Sequence, residues 1–292
     1  MKTCCVCNGI LKPYQKSNVS LENTDSYAYA SRKIPEYMHW DLYECEDCKI
    51  LYSDCPTNVE DIYDKYENAA YDSSEEADYA SETYIKYLKK HLPSFPNGKA
   101  LDIGTGNGSY LLALKKEGIE NVMGVEPSRE PIAQANPSVR GNIINAPFEK
   151  GMFAENEFEM VSLFQTIEHI PDSISVLEEI RRNLKPNGVF YLVCHNYRSL
   201  VNAIMGFKSP IYDIEHLQIF SQKGIRKLME KAGFRNIEVF TIKNRYPLRY
   251  WFRLFPAPQR IKKRMMPRLD KSKLGRMMLG VNVGNIGVIC RK

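Results

Sequence analysis

The sequence predicts an α/β protein: a seven-stranded, mostly parallel sheet with helices on both faces, preceded by a small cysteine-clamped module. Three observations predict it. From Lys99 onward, short apolar runs alternate with amphipathic stretches, the pattern of βαβ units. A glycine-rich turn separates the first apolar run from the first amphipathic one, and CxxC pairs stand at both ends of the first 56 residues.

Residues 1–56 read as irregular and organised by a metal. Cys4-x-x-Cys7 and Cys45-x-x-Cys48 supply four thiolates as two knuckles, the donor set of a tetrahedral structural zinc with no open position for catalysis. Free buried thiols are the alternative, and Cys5 could substitute for either neighbour. Residues 57–98 form an acidic, tyrosine-rich linker and a leading helix from about Glu82, capped by Ser81 or an earlier Ser/Asp and stopped by Pro93. Residues 99–292 make the third region. Its strands are expected at Ala100–Ile103, Val122–Val125, Asn142–Ile144, Met160–Phe164, Val189–Cys194, Ile237–Ile242 and Ile286–Cys290. Its helices are expected near Ser109–Lys116, Arg129–Asn136, Ser173–Leu184 and Ser221–Ala232, with Pro186 and Gly233 as stops.

The composition, 43% hydrophobic and 26% charged, is that of a globular protein. No apolar run approaches the roughly 18 residues of a membrane span, and MKTCCVCNGI lacks the core of a secretory signal, so a cytoplasmic location is expected. The net charge of +5 is unevenly spread. Residues 243–292 hold 14 Lys/Arg against one acid, Asp270, giving +13, while residues 1–242 are −8. Within an insertion at about 244–280, arginines and lysines interleave with Trp, Phe, Leu and Met. Such a face suits anionic lipid or phosphate; a solvated helical insertion is the plainer alternative.

In Leu101-Asp102-Ile103-Gly104-Thr105-Gly106-Asn107-Gly108, glycines let the backbone turn sharply and approach a ligand, so the loop can hold a nucleoside cofactor or serve as an ordinary tight connection. About 20 residues on, the second strand ends at Glu126-Pro127, where a carboxylate can accept hydrogen bonds from ribose hydroxyls. A dinucleotide fingerprint asks for a further glycine where this chain has Ser109, which argues against a nicotinamide enzyme.

With these motifs the chain resembles the class I S-adenosylmethionine-dependent methyltransferases, a Rossmann-like family, and especially the ubiquinone-biosynthesis and sugar methyltransferases. LDIGTGNGSYLLAL is similar to the cofactor loop, FEMVSLFQTIEHIPD to the fourth strand and its Glu-His turn, LEEIRRNLKPNGVFYLV to the helix, turn and fifth strand, and EHLQIFSQKGIRKLMEKAGF to the late Glu-His segment. The resemblance implies that Asp102, Gly104, Thr105 and Gly106 border the methionine part of S-adenosylmethionine and that Glu126, beside Pro127, holds its ribose. It implies too that Asn145, Ala146 and Phe148 flank adenine and Gln165 lines the sulfonium. Residues 99–292 are then the methyltransferase domain.

Methyl transfer is an in-line displacement, so the protein must align the acceptor and remove a proton from a hydroxyl or activated carbon. Histidine is the natural base, and Glu168-His169 and Glu215-His216 both open onto the carboxyl edge of the sheet. His216 with Glu215, and His169, are the candidates for catalysis, with a loop brace as the alternative for His169; His195 is a candidate liner of the acceptor pocket or a cap of the strand end, and His39 and His91 read as packing or surface residues. In the zinc-bearing sugar C-methyltransferases a Tyr-x-Glu-His pattern supplies the base, whereas Tyr212 here stands one place earlier and their large extra C-terminal domain has no counterpart. An oxygen acceptor is expected at least as readily as a carbon one. WDLYEC and ILY around the second knuckle resemble the zinc-ribbon-like module of sugar methyltransferases. The expected acceptor is therefore a saccharide or a polysaccharide or lipid-linked precursor, with an RNA methyltransferase as the alternative. The acidic balance of residues 1–242 disfavours RNA. A non-catalytic cofactor-fold module would show a degraded glycine loop or lost acids, and neither is seen.

Overall fold

A computed structural model describes residues 2–19, 37–55, 71, 73–254 and 258–292. Most of the expected linker, 57–70, and the middle of the cysteine module, 20–36, lie outside the described residues.

The N-terminal region is more regular than expected. Strands β1 (Leu11–Gln15), β2 (Leu42–Cys45) and β3 (Leu51–Ser53) pair antiparallel in order. The periodicity was too short to read: β3 has three residues, and β1 is largely exposed with no apolar alternation. Helix α1 spans Ser74–His91, eight residues longer at its start than expected, and Ser73, one of the earlier serines the sequence offers, precedes it. Leu92 closes it before Pro93.

The main domain follows as β4 (Ala100–Ile103), α2 (Ser109–Lys116), β5 (Val122–Glu126), α3 (Arg129–Ala133), α4 (Pro137–Arg140), β6 (Ile143–Asn145), β7 (Phe158–Phe164), α5 (Ser173–Asn183) and β8 (Leu184–His195). It continues as α6 (Leu200–Met205), β9 (Gln218–Ile219), α7 (Gln222–Lys231), β10 (Arg235–Pro247), α8 (Leu248–Leu254), α9 (Gln259–Lys271) and β11 (Met278–Arg291). The single helix expected over 129–136 is two. Pro137 disfavours helical backbone at Asn136, which instead caps α4 through a 3.0 Å bond from Ser138 N–H.

The seven-stranded sheet has the order β10-β11-β8-β7-β4-β5-β6, with β11 antiparallel to both neighbours and the other pairs parallel. Strand alternation divides its side chains between two cores. Leu101, Val161, Phe190 and Leu192 pack with Leu177 and Ile180 of α5 and Ile225 and Leu228 of α7. Ala100, Met160, Tyr191 and Val193 pack on the opposite face with Tyr84 and Leu88 of α1 and Leu111 and Leu114 of α2. Burying one such leucine fully stabilises by roughly 1.5–3 kcal/mol. The carboxyl ends of β4, β5, β7 and β8 share one edge, where ligands bind in open α/β sheets.

The cysteine module is not a separate bead. β3 pairs with β9 of the main domain, extending the small sheet to four strands, and Ser53 N–H donates to Leu217 O at 2.9 Å. Helix α7 lies so close that a Cβ on Gly224 would meet Ile50 Cγ1 at 2.6 Å. β10 and β11 are several residues longer than expected, and Asn244–Pro247 pairs with Met278–Val281 beyond the point where Asn285 meets the last residue of β8, His195. The ends of the basic insertion are thus a hairpin arm standing over the carboxyl edge. Among the described residues, no helix is long and apolar enough to cross a membrane.

Candidate functional site

The loop after β4 is held in place by the end of β5. Gly104 and Thr105 N–H both donate to Val125 O at 2.8 and 3.1 Å, and Gly106 N–H donates to Glu126 Oε2 at 2.8 Å. Glycine is required at the first position: Gly104 has φ +69, and a Cβ there would meet Thr166 Oγ1 at 2.4 Å. Among the described residues, the nearest atom to the absent Cβ of Gly106, which has φ +57, is Tyr71 Oη at 4.0 Å. Thr105 turns its side chain down, so that a Cβ on Gly124 would meet its Cγ2 at 2.5 Å.

Two carboxylates lie beneath this loop. Glu126 is buried; its Oε1 accepts Ser128 N–H at 2.9 Å and its Oε2 accepts Gly106 N–H, and burial raises its pKa. Asp102 at the end of β4 is pushed up to about 7 by burial, with the Ser162 hydroxyl donating to it at 2.6 Å. Gln165, immediately after β7, has φ +49, a conformation rare outside glycine and concentrated at functional sites. Asn145 uses its amide to tie Glu126 O and Pro127 O at 3.0 and 2.9 Å. Pro127, Ala146 and Phe148 are half-buried, and Phe148 stacks on Phe153. An aminoacyl nucleoside fits this cradle. Gly106 leaves room that any other residue would fill, and the Glu126 carboxylate lies directly beside it.

Three histidines converge beside it on the carboxyl edge. The His216 ring lies 4.8 Å from that of His169 and 5.4 Å from that of His195, centre to centre. Each is oriented through Nδ1: His216 on Ile211 O at 2.7 Å, His169 on Glu215 O at 3.2 Å and His195 on Asn285 Oδ1 at 3.1 Å. A carbonyl can only accept, so Nδ1 of His216 carries the proton and Nε2 is its basic nitrogen. Burial lowers His216 to about 3, and the neighbouring His169 and His195 add to the shift. Burial likewise lowers His169 to about 4. Ligand atoms of His169, Glu215 and His216 all lie within 4.8 Å of one another.

The four predicted cysteines also come together. Cys4 Sγ lies 3.6 Å from Cys48 Sγ, Cys7 Sγ lies 3.4 Å from Cys45 Sγ, and all four fall within 4.8 Å. A disulfide needs about 2.05 Å, whereas zinc–sulfur bonds of about 2.3 Å arranged tetrahedrally set sulfurs about 3.8 Å apart. The spacing fits zinc. Asn8 and Lys49 take φ of +60 and +61 just past the two pairs, closing turns in which Asn8 and Lys49 N–H return to Cys4 O and Cys45 O. The thiol of Cys4 is lowered to about 4 by its hydrogen bond with Cys48, and Tyr52 Oη adds to this at 3.1 Å. Cys5 is exposed and stands outside the cluster.

Residues 74–239 match the family pattern described as "Methyltransferase domain", more than half of the chain. The chain belongs to this methyltransferase family. Its architecture is that of the class I S-adenosylmethionine-dependent members. Among relatives, an uncharacterised methyltransferase of Schizosaccharomyces pombe is 30% identical over 143 residues, 44% of this chain and 48% of the relative. A ubiquinone biosynthesis O-methyltransferase of Histophilus somni is 27% identical over 120 residues, 37% and 50%. A demethylmenaquinone methyltransferase of Staphylococcus saprophyticus is 25% identical over 190 residues, 54% and 78%. The methyltransferase chain thus spans about half the length of the first two. Among solved structures, a Haemonchus contortus phosphoethanolamine N-methyltransferase 2 bound to S-adenosyl-L-methionine superposes with a TM-score of 0.50 at 19% identity, over 83% of this chain and 61% of that one; the likeness is one of fold.

Several residues of the candidate site escaped the sequence. Glu168 is fully buried; its Oε1 accepts His195 N–H at 2.6 Å, and its Oε2 is buried with no hydrogen-bond partner among the described residues. Its charge works against the depression of His216. The Glu-His spelling drew attention to the histidine, and only the fold turns the acid inward. Tyr71 beside Gly106, and Asp78, which accepts the Ser109 hydroxyl at 2.6 Å, come from a segment whose acids and tyrosines read as linker.

Proposed function

We propose that the chain transfers a methyl group from S-adenosylmethionine to a hydroxyl of a small molecule, a sugar or a polysaccharide or lipid-linked precursor. The observation that carries the reading is His216, a neutral buried imidazole fixed by Ile211 O, at the same sheet edge as the glycine cradle. Gly104, Thr105 and Gly106 with Asp102 would hold the amino-acid end of the cofactor, Glu126 with Pro127 the ribose, Asn145, Ala146 and Phe148 the adenine side, and Gln165 the sulfonium side. When bound, the cofactor supplies an electrophilic methyl on a positive sulfur. A hydroxyl becomes strongly acidic as it bonds to carbon, so a weak base suffices, and Nε2 of His216 takes the proton. Glu168, unpartnered at Oε2 among the described residues, offers the charge that offsets the resulting imidazolium, while Glu215 O and Asn285 hold His169 and His195 as the walls around it. Cys4, Cys7, Cys45 and Cys48 would hold a structural Zn²⁺ that fixes the module against β9.

A second acceptor class, the hydroxylated ring of a quinone precursor, is favoured by the names of the Histophilus and Staphylococcus relatives. An RNA acceptor gains nothing comparable. Isotopically labelled methyl transfer to nucleotide sugars, lipid-linked sugars and polyhydroxylated aromatic acids decides among them. His216→Asn should bind S-adenosylhomocysteine as the parent does and lose about 10²–10⁴-fold in turnover. Near-normal turnover would move the base elsewhere, and no affinity for the demethylated cofactor in folded protein would sink the assignment.

A further inference from the structure

The arm at the carboxyl edge leads beyond the identity of the acceptor. Helix α8 is fixed inward: Arg249 pairs with Glu75, Arg253 lies 3.7 Å from Glu76, and Trp251 Nε1–H donates to Leu279 O at 3.0 Å. These bonds clamp α8 between α1 and β11, and α9 is left on the outside. Along α9, Ile261 and Met265 are four residues apart, hence on one face, and are 45% and 41% exposed. At 100° per residue, Arg260, Arg264, Arg268 and Lys271 fall on the flank of that stripe, all exposed. Beyond the helix, Leu274 and Met277 are 57% and 48% exposed among Lys273 and Arg276.

A second exposed pair sits at the root of the arm. Leu200 and Ile204, four residues apart on α6, are each 77% exposed. Helix α6 is seated against the root of the arm, where a Cβ on Gly284 would meet Ser199 Oγ at 2.3 Å and Asn196 N–H donates to Gly284 O. Aliphatic and thioether side chains at water-exposed positions, bordered by guanidinium groups, suit the boundary between lipid headgroups and acyl chains. A nucleic-acid surface would instead offer aromatic rings for base stacking, and the described aromatic residues of the arm, Tyr246, Tyr250, Trp251 and Phe252, are buried or half-buried.

We propose that α9 and the tip of the β10–β11 arm, with the outer face of α6, dock on the surface of an anionic lipid bilayer, turning the carboxyl edge of the sheet toward it. An acceptor carried by a lipid would then be met at the interface.

The test uses the full chain and vesicles of phosphatidylcholine with about one third phosphatidylglycerol, set against pure phosphatidylcholine, in a sedimentation assay. The anionic vesicles are expected to bind at least about tenfold more tightly, and raised salt to weaken them. Arg264→Gln with Arg268→Gln should lower that affinity about 25-fold. Ile261→Glu with Met265→Glu should lower it by about tenfold or more. These side chains are exposed, so both double variants should melt with the parent and keep its affinity for S-adenosylhomocysteine. Equal binding to the two vesicle types, no binding to either, or variants that sediment like the parent would overturn the proposal. So would tight binding of a polyuridine RNA that persists in Ile261→Glu/Met265→Glu without any vesicle binding.

Discussion

Replacing His216 by asparagine should change how stability depends on pH, by an amount set by its surroundings. Asparagine keeps an N–H able to reach Ile211 O but removes the titratable ring. Burial first, then His169 and His195, lower His216 to about 3 in the folded protein. In the unfolded chain it titrates near 6.5. The folded pKa is the depressed one, so below about 6.5 the unfolded chain binds a proton that the folded chain refuses, and stability falls as the medium is acidified. Between pH 7 and pH 5 the loss from this one residue is about 2 kcal/mol. His169, at about 4, adds a loss of similar size. Asp102, raised to about 7, works in the opposite sense and recovers about 2 kcal/mol on acidification, because its folded form favours the proton. Both remain in the variant, so the difference between parent and variant isolates His216. Urea unfolding at the two pH values should show the parent losing about 2 kcal/mol more than His216→Asn. Equal losses within about 0.5 kcal/mol would refute the buried, neutral imidazole; the ring volume lost shifts both pH values alike and does not enter the comparison.

Three further outcomes follow from the same geometry. Glu126→Gln leaves an amide where a carboxylate accepts two N–H groups, and titration calorimetry should show about 10–100-fold weaker binding of S-adenosylhomocysteine. Gly104→Ala meets both a left-handed backbone and Thr166 Oγ1, so unfolding should show a loss of about 2 kcal/mol, part of which Thr166→Ala restores by clearing the overlap but not the φ of +69. Cys48→Ser should abolish bound zinc in metal analysis and lower the melting temperature, whereas Cys5→Ser, outside the cluster, should leave both unchanged.

The sheet was legible because its strands are buried on both faces and read as short apolar runs. Leu101, Val161 and Phe190 announce themselves that way. So were the glycine turn and the acid beside it, since Gly104 and Glu126 are dictated by backbone conformation and by position at strand ends. The cysteine spacing foretold the cluster but not the strands that carry it, which are too short to show a period. What the chain could not reveal is long-range pairing. Nothing local to Glu168 says that its carboxylate turns inward beneath His195, and nothing in Gln218-Ile219 says that Leu51 and Tyr52 will lie against it. The length of the β10–β11 arm was hidden for a related reason: Asn244, Arg245 and Tyr246 are polar in sequence, and only pairing with Val281, Gly280 and Leu279 makes them strand.

The bond between β3 and β9 has a practical meaning for anyone dissecting this chain. Excising the first 55 residues would not trim an appendage; it would strip the ladder partner from Leu217–Ile219 and bare a raw β-edge one residue from His216. A shortened protein that still held its cofactor yet turned over nothing would therefore say little about what the missing piece recognises. It would report a histidine whose scaffolding had been taken away.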